Sequence, residues 1–217
     1  MEIRDLTFDY GTPLYQDFSL SLPDHAITAI LGGSGTGKST LLNLVCGLLQ
    51  PKSGTVDARD CSYIFQTPRL LPSLSVLDNV RAVLPRGQKE DAKLWLERAE
   101  LGDSLKLYPR QLSGGMAQRV SLARAFAVGR DTLLMDEPFT GLDLALTERL
   151  KGVLLSLWQE SKPTTLLVTH DLEGALSICH HIVVLGGKPV QAVYAADVDD
   201  SNRAEVMERA KEALLRQ

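Results

Sequence analysis

Hydrophobic and polar positions alternate twice near the start of the chain. Leu6, Phe8 and Tyr10 are separated by Thr7 and Asp9, and Phe18, Leu20 and Leu22 by Ser19 and Ser21. A period of two predicts two strands with one covered face each. Pro23-Asp24-His25 signals a turn, and Ala26 to Leu31 then forms a short apolar run that suits a strand covered on both faces. From Thr40 to Leu49 the spacing changes: Leu41, Leu42, Leu44, Val45, Leu48 and Leu49 recur at helical intervals until Pro51 and Gly54 stop them. A further strand over Cys61 to Phe65 leads to Gln66. Beyond it, a proline-punctuated stretch to about Gly129 predicts a helical subdomain. Within that stretch Ser75 and Asp78 fit a capping box for a short helix through Ala82, and 90–101 reads as a second helix with Trp95 and Leu96 on its apolar side.

Strand patterns return at Thr132 to Met135, Thr164 to Val168 and Ile182 to Leu185, with helical patterns at Leu144 to Trp158 and Asp171 to Cys179 between them. Strands alternating with helices predict an α/β fold with a mainly parallel sheet. Gly186-Gly187-Lys188-Pro189 reads as a turn into a last short strand over Val190 to Val193. A closing helix follows, capped by Asn202 and Glu205, with Val206, Met207, Ala210 and Leu214 on one face.

Composition narrows the class. The 217 residues are 44% hydrophobic, enough for one compact domain with a subdomain and a core that needs neither disulfides nor metals. Acidic side chains number 27 against 23 basic ones, a formal charge of −4, which argues against a protein that coats nucleic acid. Cys46, Cys61 and Cys179 form no paired motif and read as buried small hydrophobes of a reducing compartment. The start, Met1 to Asp5, has mixed charge and no signal-peptide core, and no apolar stretch approaches the ~20 residues of a membrane span. The expected place is the cytosol, unless a partner holds the chain at a membrane.

The chemistry begins at the end of the buried strand. Gly32-Gly33-Ser34-Gly35-Thr36-Gly37-Lys38-Ser39 is a phosphate-binding loop set between a strand and a helix. Glycines let the backbone wrap a polyphosphate, with N–H groups and the positive helix end aimed at it. Lys38 offers a point charge to the terminal phosphates, and the Ser39 hydroxyl is a Mg²⁺ ligand. Leu133-Leu134-Met135 carries Asp136 and Glu137 to the carboxyl edge of the sheet, where ligands of such folds bind. Asp136 suits Mg²⁺ through its water shell, and Glu137 suits the group that polarises an attacking water. His170 ends another strand and reaches the same edge, where an imidazole can bond a γ-phosphate or the lytic water. His180 and His181 lack a third ligand at metal spacing, and His25 has no assigned role. Leu112-Ser113-Gly114-Gly115-Met116 opens the helix Ala117 to Val128 and is a second anion-binding device. Lying in the helical stretch, it does not fold onto its own phosphate loop, which suggests two half-sites completed across a dimer.

The phosphate loop, Leu112-Ser113-Gly114-Gly115 with Gln118-Arg119, Asp136-Glu137-Pro138, Gly141-Leu142-Asp143 and Thr169-His170-Asp171, in this order, resemble an ATP-binding cassette (ABC) ATPase over nearly the whole chain. The resemblance implies a P-loop NTPase (RecA-like) core over 1–66 and 130–200 that includes an antiparallel β subdomain. It also implies an inserted helical subdomain over 67–129 and a C-terminal helix over 201–217. It implies ATP and Mg²⁺ as cofactors: Gly32 to Ser39 with Thr40 on the phosphates, Tyr10 stacked on the adenine, and Ser39, Asp136 and Gln66 toward the metal. Glu137, His170, Gln66 and Lys38 are then the catalytic set, Ser113, Gly114 and Gly115 clasp the γ-phosphate of the opposite subunit, and Asp143 links the two sites. Departures from the family pattern are Met116 for Gln, Gly33 for Pro, and Thr140-Gly141 for Ser-Ala; none removes a phosphate contact. The implied partners are transmembrane permease subunits docked in a groove near Gln66, with an identical or paired cassette and a solute-binding protein in the full complex; Leu70, Leu71, Leu74 and Leu77 either line that groove or simply pack the helical subdomain. No nucleic acid partner is implied. That assembly sits at the cytoplasmic face of the membrane. The Leu-Leu-Pro run after Gln66 and the short segment after the last strand are similar to importer cassettes for nitrate, sulfonate, taurine or thiamine. Exporter, lipoprotein-release and cell-division cassettes share every motif. A mechanical ATPase on DNA or ribosomes would need a coiled-coil insertion for which the spacing between Lys38 and Asp136 leaves no room.

Overall fold

The computed structural model describes residues 1–57 and 60–216; Ala58, Arg59 and Gln217, which fall in the predicted core and closing helix, lie outside the described residues. In chain order the elements are β1 (Glu2–Asp9), β2 (Pro13–Ser21), β3 (Ile27–Leu31), α1 (Lys38–Val45), β4 (Ser53–Val56), β5 (Cys61–Ile64), α2 (Val76–Arg81), α3 (Asp91–Arg98), α4 (Gly114–Ala127), β6 (Thr132–Asp136), α5 (Leu144–Ser161), β7 (Thr164–Val168), α6 (Leu172–Leu176), β8 (His181–Gly186), β9 (Gln191–Asp197) and α7 (Arg203–Leu215).

Two sheets form, one of order β2-β1-β4 and antiparallel, the other of order β5-β6-β7-β3-β8-β9. The larger sheet is parallel except for its edge pair β8/β9. It is the α/β arrangement that the pattern predicts. Its central strands are buried on both faces because neighbouring residues feed opposite cores. Leu133, Met135 and Leu167 pack under the helices α2 to α7, whereas Leu134, Leu166 and Val168 pack against α1 and the small sheet. Three of these strands finish side by side. Ile30 of β3 pairs with Val168 of β7, which pairs with Asp136 of β6, so the residues that follow all three emerge at one edge.

Several boundaries differ from the sequence expectation. α1 stops at Val45 rather than Leu49, because Gly47 turns left-handed at φ 72° and Leu49 N–H reaches back to the Asn43 carbonyl; Leu48 is left exposed. α3 covers less than the predicted 90–101, since Glu100 turns left-handed (φ 57°) and Leu101 is held by the Leu96 carbonyl. β9 runs on to Asp197, sustained by the ladder with β8 rather than by its own apolar pattern. Ser75 caps α2 as expected, accepting from Asp78 N–H. Asn202 makes no cap: its side chain accepts from Asp199 N–H and donates to the Asp197 carbonyl, while Glu205 pairs with Arg209. Of the three free cysteines Cys179 is buried, and Cys46 and Cys61 are half-buried. Burial raises the Cys61 thiol to about 11 and the Cys179 thiol to about 12.

Candidate nucleotide site

At the shared strand edge a cavity of about 470 Å³ opens, lined by the phosphate loop between Gly32 and Thr40, apart from Gly33 and Thr36, and by Tyr10, Leu14, Asp136, Glu137, Val168 and His170. The loop is tight because it leaves β3 directly beneath the end of β8. A Cβ on Gly32 would stand 2.6 Å from the Leu185 carbonyl oxygen, so only glycine lets the two backbones meet. Thr36 Oγ1 donates to the Gly33 carbonyl at 2.8 Å and holds the curl. Gly37, left-handed at φ 81°, starts α1 with no side-chain cap, which leaves the first helical amides for a ligand. Lys38 Nζ donates to the carbonyls of Gly32 (2.8 Å) and Gly33 (2.9 Å), spanning the loop it belongs to. Desolvation lowers its pKa, and the carboxylates of Glu137 and Asp136 oppose that shift.

Ser39 Oγ donates to Asp136 Oδ1 at 3.0 Å, bringing together two groups 97 positions apart in sequence. A hydroxyl and a carboxylate oxygen side by side are the hard donor set that Mg²⁺ prefers. Tyr63 O–H donates to the other oxygen of Asp136. One residue on, Glu137 takes a left-handed φ of 48° while its N–H pairs with the Val168 carbonyl, a strained turn of the kind that gathers at functional sites. Its carboxylate is held from two sides. His170 Nδ1 lies 3.0 Å from both oxygens, and Thr140 Oγ1 donates to Oε2 at 2.9 Å. The predicted histidine therefore grips the carboxylate through Nδ1, leaving Nε2 as its remaining polar atom. Thr140, Tyr63 and Leu14 are site residues that the sequence reading missed. Thr140 left one signal, a hydroxyl three residues after Glu137 where a turn brings i and i+3 together.

Tyr10 stands out of the core, 67% exposed, with its hydroxyl 3.4 Å from Thr40 Oγ1 and its edge against Phe8. It forms one wall of the cleft and of an adjoining cavity of about 440 Å³. Other predicted residues lie outside the cleft. Gln66 is exposed beyond β5, and its carbonyl accepts from Gln118, whose amide also donates to the Pro138 carbonyl. Ser113 caps α4 by accepting from Met116 N–H, and Asp143 caps α5 by accepting from Leu146 N–H at 2.9 Å. Neither they nor Gly114 and Gly115 line the cavity.

The leucines after Gln66 do not all line a groove. Leu70 and Leu77 pack on the core and, of the four, only Leu71 is well exposed; the buried Asn79 amide donates to the carbonyls of Leu71, Leu74 and Ser75. A depression of about 370 Å³ lies instead between β5 and α4, with Ser62, Tyr63, Ser121 and Arg124 in its walls. Beside it Phe65 is stacked on Tyr63 and covered by the Arg69 guanidinium, 3.7 Å from the ring centre. The remaining histidines have structural partners: His180 Nδ1 accepts from Ile27 N–H, His181 pairs with Asp197, and His25 contacts the Lys162 carbonyl. Among the described residues no helix is long and apolar enough to cross a membrane.

The sequence profile of the ABC transporter family matches residues 15–140. An aliphatic sulfonates import ATP-binding protein of Zymomonas mobilis is 39% identical over 195 residues, which cover 85% of this chain and 81% of that protein. A nitrate import ATP-binding protein of Synechococcus elongatus is 37% identical, with 82% and 71% covered. Among solved structures, a dimeric bacterial ABC transporter cassette is 27% identical at a TM-score of 0.77, covering 91% of this chain and 98% of that one. The cbiO1 protein of Clostridium perfringens, part of an ABC transporter complex, is 25% identical at 0.82, with 99% and 92% covered. With its phosphate loop, paired carboxylates and second glycine-rich turn into a helix in this arrangement, the chain belongs to the ABC transporter family and is one of its ATP-binding, ATP-hydrolysing cassettes.

Proposed function

We propose that two such chains pair head to tail around two Mg-ATP molecules and that their closing and reopening drives import of a small solute through membrane subunits. The observation that carries the reading is the Glu137 carboxylate, fixed by His170 and Thr140 one residue beyond the Asp136 that touches the phosphate loop. In this reading Tyr10 stacks on the adenine. The amides from Gly32 to Thr40 and the Lys38 ammonium hold the phosphates, and Ser39, Asp136 and Gln66 are the groups that hold Mg²⁺. The metal supplies charge neutralisation along the phosphates. Glu137 takes up a proton from the attacking water, and His170 keeps the carboxylate aimed. Ser113, Gly114 and Gly115 meet the γ-phosphate bound by the opposite chain, with Asp143 between the two sites. Closure is favoured only while the γ-phosphate bridges Lys38 of one chain and Ser113 of the other.

The import reading is supported by the names of the relatives, which are import ATP-binding proteins for aliphatic sulfonates and nitrate. A permease helix docks in the depression between β5 and α4 beside Gln66, which places the cassette at the cytoplasmic face of the membrane. Glu137→Gln tests the chemistry: turnover falls by roughly 10²–10⁴, ATP is still bound, and the variant accumulates as a Mg-ATP dimer in light scattering. A variant that stays monomeric at saturating ATP would overturn pairing by the cassettes alone.

A further inference from the structure

The start of α4 and the start of α5 are fitted together through one glycine. A Cβ on Gly115 would stand 2.7 Å from Leu146 Cγ and 2.6 Å from its Cδ2, whereas at Gly114 the nearest atom, Leu142 Cδ2, would be in ordinary contact at 3.7 Å. Because the branching carbon of Leu146 is itself too close, turning its methyl groups alone would not clear the overlap; the whole isobutyl group would have to leave its place against α4, or one helix would have to shift. Leu146 is also the residue whose N–H is capped by Asp143, and Gly115 lies two residues after Ser113. Further along, the same two regions are braced by charge. Glu100 accepts from Arg119 of α4 and from Arg149 of α5, at 3.2 and 2.6 Å, and Arg98 of α3 pairs with Glu160 of α5 at 2.6 Å. α5 is thus the strut against which the helical region rests, and the Gly115–Leu146 contact is the point of it nearest Ser113.

We infer that Leu146 is a positioning residue: its isobutyl group fills the space Gly115 leaves open, so the segment that presents Ser113 and the segment that Asp143 caps move as one piece when chains pair. This rests on the reading of Ser113 as a ligand of the opposite chain's nucleotide. It adds a requirement for Gly115 that approach of its amide to a phosphate does not create. If approach alone matters, the identity of residue 146 is indifferent. If seating matters, shrinking residue 146 makes room for a side chain at 115.

The test uses the full chain and measures turnover, binding of a fluorescent ATP analogue by single chains, and Mg-ATP-induced pairing in a Glu137→Gln background. Gly115→Ala is expected to keep the binding and to lose roughly 10²-fold in turnover, the usual consequence of a displacement near 1 Å. Adding Leu146→Ala is expected to restore most of the loss in turnover and in pairing. A double variant as poor as Gly115→Ala alone, or a Gly115→Ala chain with normal turnover, overturns the inference. Should Gly115→Ala fail to fold, Leu146→Ala and the volume-conserving Leu146→Met are compared: pairing weakened in the first and kept in the second is expected, and equal pairing in both overturns it. Ser113→Ala run alongside separates the two readings. Normal turnover there defeats the assignment of Ser113, while recovery of the melting temperature in the double variant over Gly115→Ala still decides whether Leu146 and Gly115 are seated together.

Discussion

Two places in this chain use the same device, a glycine-rich turn into a helix, yet one stands in a cleft and the other does not. The phosphate loop opens α1 inside a cleft whose other walls, Asp136, Glu137 and His170, come from neighbouring strand ends of the same sheet. Ser113 to Gly115 open α4 with no part in that cleft, and the side chains nearest the two glycines are Leu142 and Leu146. A parallel sheet gathers distant residues by ending its strands together; a helix on an inserted segment has no such neighbours. On the proposed reading, the first half-site is therefore assembled within one chain, and the second meets its ligand only when another chain brings one.

The contrast is broken most directly by removing one charge and one hydroxyl. Lys38→Ala deletes the cation that spans the phosphate loop and is expected to cost about 2–5 kcal/mol in ATP affinity, read by equilibrium binding to single chains. Ser113→Ala is expected to leave that affinity unchanged and to lower turnover by about 10²-fold, with about 1 kcal/mol of stability lost from the α4 cap. Weakened single-chain binding in Ser113→Ala would mean that the second half-site is not separate. A smaller effect belongs to the helical region alone. Asn79 is fully buried and joins Leu71, Leu74 and Ser75 through four hydrogen bonds. Asn79→Ala removes the side-chain partners of the Leu71 N–H and the Leu74 carbonyl, while the Leu71 and Ser75 carbonyls keep the N–H groups of Leu74 and residue 79; it is expected to cost about 1–3 kcal/mol in denaturant unfolding, while single-chain ATP binding holds.

The smallest effect is a pH dependence at the far end of β3. His180 accepts Ile27 N–H on Nδ1 and so must be neutral there. Partial desolvation, and then the Lys162 ammonium, hold its pKa below the ordinary 6.5. The unfolded chain therefore takes up a proton first as pH falls, so the stabilisation is whole above 6.5 and is lost as the pH drops below it. His180→Gln should remove that step from a series of unfolding curves, without altering ATP binding at neutral pH.

Much of the cleft was legible in the sequence for a physical reason. Gly32 to Ser39 is contiguous, and Asp136, Glu137 and His170 each stand at the end of an apolar run, so the strands themselves predict that these residues share an edge. Tyr63 was not legible and Thr140 left only its spacing from Glu137 as a signal, since each acts through a contact that depends on how a turn folds back or how β5 lies beside β6. Whether Leu70, Leu71, Leu74 and Leu77 line a groove or pack the helical subdomain was not legible, because helical-looking leucines carry no mark of which will be covered. Leu70 and Leu77 pack on the core, and Leu71 is left exposed.

By itself the sequence determined the alternation of strands and helices, the phosphate loop and its carboxylates, and the presence of a second glycine-rich turn into a helix, because these depend on local periodicity and on contiguous residues. Tertiary structure alone decided that Ser39 meets Asp136, that His170 grips Glu137 rather than standing free, and that Leu146 occupies the space beside Gly115. Those contacts join residues far apart in the chain, and only the order of strands and the packing of α4 on α5 bring them within reach.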